Sequence, residues 1–259
     1  MTGKRTWIVG GALLLCVVLV TSCVIIFRHK PASRTSFLLA EGLDSQTECY
    51  ILDSGQKGPT VFLLAGTHGN EIAGFKAAEM LVDSLEPLTG KVILVPHANQ
   101  QAIEREQRTA PDGEDMNRSY PGSQEGSDIE KLADEIMSLL REYEPVCVVD
   151  MHEGFNFYGV EGSIGNSLVV GYTQSSFTHA LDILAQVNEN NEDELPDFAL
   201  EGNAPLGSLN CTASRELGID AFTIETSQKL PLETRISQQL LFVESILTQY
   251  GMKFKIQTA

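Results

Sequence analysis

The chain has 259 residues, 42% of them hydrophobic, which is enough for one large domain with a substantial core. Its formal charge is −17, and residues 1–34 hold five Lys or Arg and no acid, so the remainder carries 13 basic residues against 35 acidic ones. A surface of that sign repels nucleic acid and excludes a general anion trap unless a local basic pocket exists.

Residues 7–27, WIVGGALLLCVVLVTSCVIIF, contain no charge. At 1.5 Å per residue the run is long enough to cross a hydrocarbon layer of ~30 Å. Residues 1–30 are therefore expected to form an amino-terminal transmembrane helix or signal segment, with the domain outside the cytoplasm. The flanking charges, Lys4 and Arg5 against Arg28, Lys30 and Arg34, do not settle orientation. Val20-Thr21-Ser22-Cys23 resembles a lipobox, which keeps lipidation at Cys23 as an alternative to an uncleaved anchor. Cys49, Cys147 and Cys211 are widely spaced and form no CxxC, so no disulfide framework is read.

A basic linker at 31–35 leads into a domain expected over 36–259. SFLLAEG and TECYILD read as a hairpin preceding the main sheet. TVFLLAG (60–66) is a continuous apolar run, as in a strand covered on both faces. It is followed by a helical pattern over 70–85 with Asn70 as cap, and by a second buried strand, KVILVP (91–96). Together these make a βαβ unit. Asn99 to Ser123 is polar and lacks hydrophobic period, the mark of a functional loop. Then come the helix SDIEKLADEIMSLLREY, the strand PVCVVDM, a short strand LVVGY, the helix FTHALDILAQVNEN, a helix in GSLNCTASRELG, the strand IDAFTIET and a last helix, LETRISQQLLFVESILTQYG. This alternation predicts an α/β fold with three α/β/α layers and a mixed, mostly parallel central sheet. Ligands in such sheets bind beyond the carboxyl ends of the strands, where His68, His152 and Glu225 all fall.

His68 and Glu71 stand three residues apart in GTHGNE, with Gly66 and Gly69 allowing a sharp turn. An imidazole nitrogen and a carboxylate there suit Zn²⁺, but two ligands do not make a site. His29 lies beside the apolar run 7–27, His97 at a strand end and His179 at a helix start. His152, directly after a buried strand, is the best third ligand, and a His₂Glu set leaves one coordination position open for water. Glu225, following an apolar strand, is placed where a carboxylate is expensive unless used, and is assigned as general base. Arg108, Asn117 and Arg118 in QRTAPDGEDMNRSYPG offer a grip on a substrate carboxylate.

GTHGNE, DMNRSYPG, VDMHEG and TIET resemble, in order and approximate spacing, the succinylglutamate desuccinylase/aspartoacylase family of the zinc carboxypeptidase superfamily, over about residues 60–228. The resemblance implies one zinc held by His68, Glu71 and His152, and Glu225 as the group that activates water and then protonates the leaving amine. It also implies Asn117 and Arg118 on the substrate's free carboxylate, and Asp115 bonded to a zinc-ligating histidine. Arg108 would polarise the scissile carbonyl, with Arg105 as its competitor. Only 34 residues follow Glu225, too few for the β-rich carboxy-terminal domain that shapes the acyl pocket in such deacylases. The substrate is therefore expected to be a small molecule or short peptide with a free carboxylate, its amide cleaved by deacylase or carboxypeptidase chemistry. The alternative from another class is an inactive, membrane-anchored module that binds peptide or amino-acid carboxylates.

Overall fold

The computed structural model describes residues 30–192, 194–202 and 204–257; the apolar run 7–27, and with it the membrane segment and Cys23, lies outside the described residues. Among the described residues no helix is long and apolar enough to cross a membrane. A compact unit spans Ala32–Ala259.

Among the described residues eight strands form its central sheet: β1 (Ser33–Leu39), β2 (Thr47–Asp53), β3 (Thr60–Ala65), β5 (Lys91–Val95), β6 (Cys147–Gly154), β7 (Ser167–Val170), β8 (Ala199–Glu201) and β9 (Asp220–Ser227). A separate antiparallel ribbon pairs β4 (Leu85–Pro87) with β10 (Phe254–Ile256). The sheet order is β1-β2-β5-β3-β6-β9-β7-β8. From β5 through β9 the strands run parallel; β1, β2 and β7 pair antiparallel to their neighbours, except that β7 and β8 run parallel to each other. The hairpin expected ahead of the sheet is thus its edge, because β2 continues the ladder through β5. Pairing begins at Ser33, within the residues read as linker.

The central strands β3 and β5 and the first half of β6 are mostly apolar because both of their faces are covered, whereas the edge strand β1 is exposed along most of its length. Val61, Leu63 and Ala65 enter one core with helices α1 (Ile72–Ser84), α4 (Gln174–Asn190) and α6 (Leu232–Gln249). Phe62 and Leu64 point the other way, into a second core under α3 (Asp128–Tyr143). Helix α3 starts at a capping box in which Ser127 and Glu130 satisfy each other's backbone N–H groups. The short helix α2 (Gln100–Glu104) and the single turn Met116–Arg118 lie inside the long polar segment. Helix α5 (Leu209–Thr212) continues as a wider turn over Ala213–Leu217 rather than as the longer regular helix read from the sequence.

One helix start differs from expectation for a reason that bears on function. Asn70 is exposed, and the cap position of α1 is Glu71, whose side chain makes no capping bond. Glu71 is engaged elsewhere, and the Ala73 N–H donates instead to Glu153 Oε2 at 2.9 Å. A carboxylate from β6 thus caps α1 from across the fold.

Candidate active site

Side-chain alternation sorts β6 and β9 into two faces. Cys147, Val149 and Met151 fill the core under α1, while Val148 joins the opposite core, which puts Asp150 and His152 on that opposite face. Ala221, Thr223 and Glu225 share it by the same parity, and the parallel register pairs His152 with Glu225. The β3 end supplies the third side. Gly66 has φ +74°, and the backbone then stays bonded to the segment after β5 through Ala98 N–H to Ala65 O and Asn99 N–H to Gly66 O, each 2.9 Å. Gly69 serves close approach rather than a left-handed turn: a Cβ there would lie 1.9 Å from the Ala102 carbonyl oxygen.

His68, Glu71 and His152 converge, all buried, with candidate ligand atoms within 4.8 Å of one another. His68 Nδ1 is 2.7 Å from Glu71 Oε1 and His152 Nδ1 is 2.7 Å from Glu71 Oε2. Each imidazole turns its other nitrogen to a carboxylate: His68 Nε2 bonds Asp115 Oδ1 at 3.0 Å, and His152 Nε2 lies 2.9 Å from Asp150 Oδ2, off the line a good hydrogen bond needs. A proton held on Nε2 leaves Nδ1 with its lone pair, the tautomer a metal ligand requires.

The site's charges point to a cation. Burial opposes ionisation of Glu71, yet His152 and His68 outweigh it and hold its carboxyl far below the ordinary range. Asp115 is depressed in the same way, burial being overcome by His68 and Arg108. Burial also disfavours a charged His152, but Asp150 and Glu71 raise its pKa well above the usual value. Glu225 is pushed up to about 8 by burial, against the pull of His152 and Arg108, with Glu71 and Asp150 adding repulsion. Two imidazoles and a carboxylate, with Asp115, Asp150 and Glu225 close by, therefore fit a divalent metal on donor chemistry and on charge.

The polar loop reaches the same place. Met116, buried in the core under α3, anchors a turn whose Asn117 N–H donates to Asp115 Oδ1 at 2.9 Å. Arg108 joins Asp115 Oδ2 at 3.0 Å and Glu71 Oε1 at 3.6 Å. Arg118 and Asn117 line a cavity of about 550 Å³ together with His68, Glu71, Arg108, His152 and Glu225. Asp115 contacts the cavity through His68 and Arg108, and Arg105 does not line it. Gly207, with φ +78°, fits against Arg118, where a Cβ would come within 2.5 Å of the carbonyl oxygen.

Several contributors escaped the sequence reading. Asp150 had a signal, since two residues before His152 on one strand is the same face. Glu153 and Arg235 did not. Arg235 Nη1 meets Glu153 Oε1 at 2.6 Å, and Thr226 Oγ1 donates to the same oxygen at 3.2 Å. Gln239 Nε2 holds the His152 carbonyl at 2.8 Å.

Comparison with known proteins bears on the fold and the family. A curated N-alpha-acetyl-L-2,4-diaminobutyric acid deacetylase from Halomonas elongata is 42% identical over 101 residues, 38% of this chain and 29% of that protein. The mDAP-bound form of Csd4, a D,L-carboxypeptidase from Helicobacter pylori, superposes with TM-score 0.71 at 23% identity, over 77% of this chain and 52% of that one. An aspartoacylase family protein from Mesorhizobium loti gives TM-score 0.62 at 20% identity, over 90% and 70%. The chain thus spans about half or less of the first two relatives, and the two structural likenesses speak to fold. The model of the succinylglutamate desuccinylase/aspartoacylase catalytic domain matches residues 57–250, three quarters of the chain, and the protein belongs to that family.

Proposed function

We propose that the protein is a zinc-dependent amide hydrolase acting on a small substrate with a free carboxylate, either an N-acyl amino acid or the carboxy-terminal residue of a short peptide. The observation that carries this reading is the convergence of His68, Glu71 and His152 in the same cavity as Glu225, Arg108, Asn117 and Arg118. Membership of the family, and relatives named as a deacetylase and a D,L-carboxypeptidase, support it from both sides of the substrate question.

When bound, the metal supplies a lowered pKa for water and polarisation of the scissile carbonyl. The chain's own groups do the rest. Glu225, beside His152 on the next strand, takes the proton of the attacking water and returns it to the leaving amine. Arg108, held by Asp115, offers its guanidinium to the developing oxyanion. Asn117 and Arg118 align the substrate by its carboxylate.

The test uses full-length protein. Wild type should bind about one zinc per chain and His152→Ala should bind almost none. At equal zinc content, Glu225→Gln should hydrolyse a panel of acylated amino acids and short peptides at least 100-fold more slowly. Equal rates would remove Glu225 from the mechanism, and ligand binding without hydrolysis by wild type would leave a binding module.

The same reading keeps residues 7–27 as a membrane segment presenting the domain outside the cytoplasm, on the support of the charge-free apolar run. Removing residues 1–29 should transfer the protein from the membrane fraction to the soluble one; an already soluble full-length chain would contradict the anchor.

A further inference from the structure

The cavity extends beyond the ligand set along the sheet. Register pairs Asp150 with Thr223, Thr223 with Val169 and Val169 with Glu201, so the four lie in one row across β6, β9, β7 and β8. Opposed residues of neighbouring strands share a face, which puts Glu201 on the face that carries His152 and Glu225. Thr223, Val169 and Glu201 all line the cavity. At ~4.8 Å between strands, the Glu201 backbone lies roughly 10 Å from that of Thr223, across β7.

Glu201 is half-buried there, and its Oε2 accepts from the Tyr158 hydroxyl at 2.9 Å. Tyr158 belongs to the segment that also brings Phe155 and Ile164 to the cavity. One hydroxyl donor leaves the carboxylate with unused acceptor capacity. Among the described residues no Lys, Arg or His pairs with Glu201. A charge on an edge strand ordinarily faces solvent to discourage pairing, but Glu201 shares its face with the buried Val169 and borders the same cavity. The cavity therefore holds Arg108 and Arg118 in one part and an acid without a basic partner in another.

We propose that Glu201 forms a subsite for an ammonium group, so that the substrate class is one bearing an amine as well as the carboxylate. The proposal rests on the amide-hydrolase reading for the position of the carboxylate. The substrate's carboxylate meets the arginines, its amide lies at the ligand set, and its amine reaches along the β9-β7-β8 row to Glu201. Tyr158 holds one carboxylate oxygen so that the other faces the cavity.

Paired ligands isolate the amine. Nα-acetyl-L-lysine against Nα-acetyl-L-norleucine, and Nα-acetyl-L-2,4-diaminobutyrate against Nα-acetyl-L-2-aminobutyrate, differ in each case by one terminal amino group. Binding is measured by calorimetry on zinc-loaded full-length protein carrying Glu225→Gln to prevent turnover. In at least one pair the amino-bearing ligand should bind about tenfold tighter or more. Adding Glu201→Gln should bring that pair within about twofold while leaving the neutral ligand's affinity unchanged, and Glu201→Lys should invert the order. Equal affinities in every pair with Glu201 intact, or a preference that survives Glu201→Gln, would overturn the subsite. A protein with Glu225 intact that hydrolyses none of the four ligands would count against the proposed reaction alone, because the binding comparison does not depend on turnover.

Discussion

The Glu225 carboxyl makes no side-chain hydrogen bond among the described residues, and burial makes its ionisation costly until a cation is supplied. In the metal-free protein its folded pKa, about 8, stands above the ~4.3 of an unfolded chain. Between those values the folded state holds a proton that the unfolded state has lost, so this group makes stability fall as pH rises. Glu225→Gln removes the titration. In chelator, the urea midpoint of Glu225→Gln relative to wild type should therefore climb from pH 5 to pH 8 and then level off; a constant offset across that range would show that Glu225 ionises freely. The residues around it were unevenly legible. His68, Glu71, His152 and Glu225 announce themselves because polar groups directly after apolar strand runs are costly without a use. Glu153 and Arg235 are 82 residues apart and each reads as an ordinary surface charge, so their pairing is visible only once α6 lies over the end of β6.

Helix α1 carries Glu71 at its cap position, and the way it packs decides where Glu71 points. Gly74 lets it lie close to β6: a Cβ there would fall 2.4 Å from the Met151 carbonyl oxygen, backbone that cannot rotate away. Intrinsic helix propensity favours Ala over Gly by about 1 kcal/mol, whereas overpacking a close contact costs about 1–3 kcal/mol. Overpacking wins here, so Gly74→Ala should destabilise by ~1 kcal/mol or more in urea unfolding and weaken metal affinity by displacing Glu71; a stabilised variant would mean that the helix shifts freely. No periodicity argument identifies Gly74, because a lone glycine in a helical pattern reads as a tolerated defect. The central strands were legible for the opposite reason: VFLLA, VILV and CVV are continuous apolar runs because α1, α4 and α6 cover one face and α3 the other. Three-residue strands such as β4, β8 and β10 have too few positions to show a pattern, and the antiparallel direction of β7 depends on a chain path no local signal encodes. The edge strand β8 is the one that delivers Glu201, which is why that end of the cavity was unread.

The proposed ligand residues reach one point from separate parts of the molecule: His68 and Glu71 after β3, and His152 at the end of β6, with Asp115 bonded to His68 from the loop. An unfolded chain cannot gather them, so the proposed metal binding would be linked to folding. At a free zinc concentration 100 times the dissociation constant, the linkage is worth about 2.7 kcal/mol. For a domain of this size each kcal/mol moves the melting temperature by ~2–4 °C, so zinc should raise it by roughly 5–10 °C and a chelator should reverse the gain. The formal charge of −17 complicates the measurement, since any divalent cation relieves repulsion on so acidic a chain. Magnesium at the same concentration separates the effects, because it screens the surface but is a poor match for two imidazoles and a carboxylate. Wild type should respond to zinc far more than to magnesium, whereas His152→Ala should respond to both alike. Equal zinc shifts in the two proteins would place the binding on the acidic surface and take the metal away from His68, Glu71 and His152.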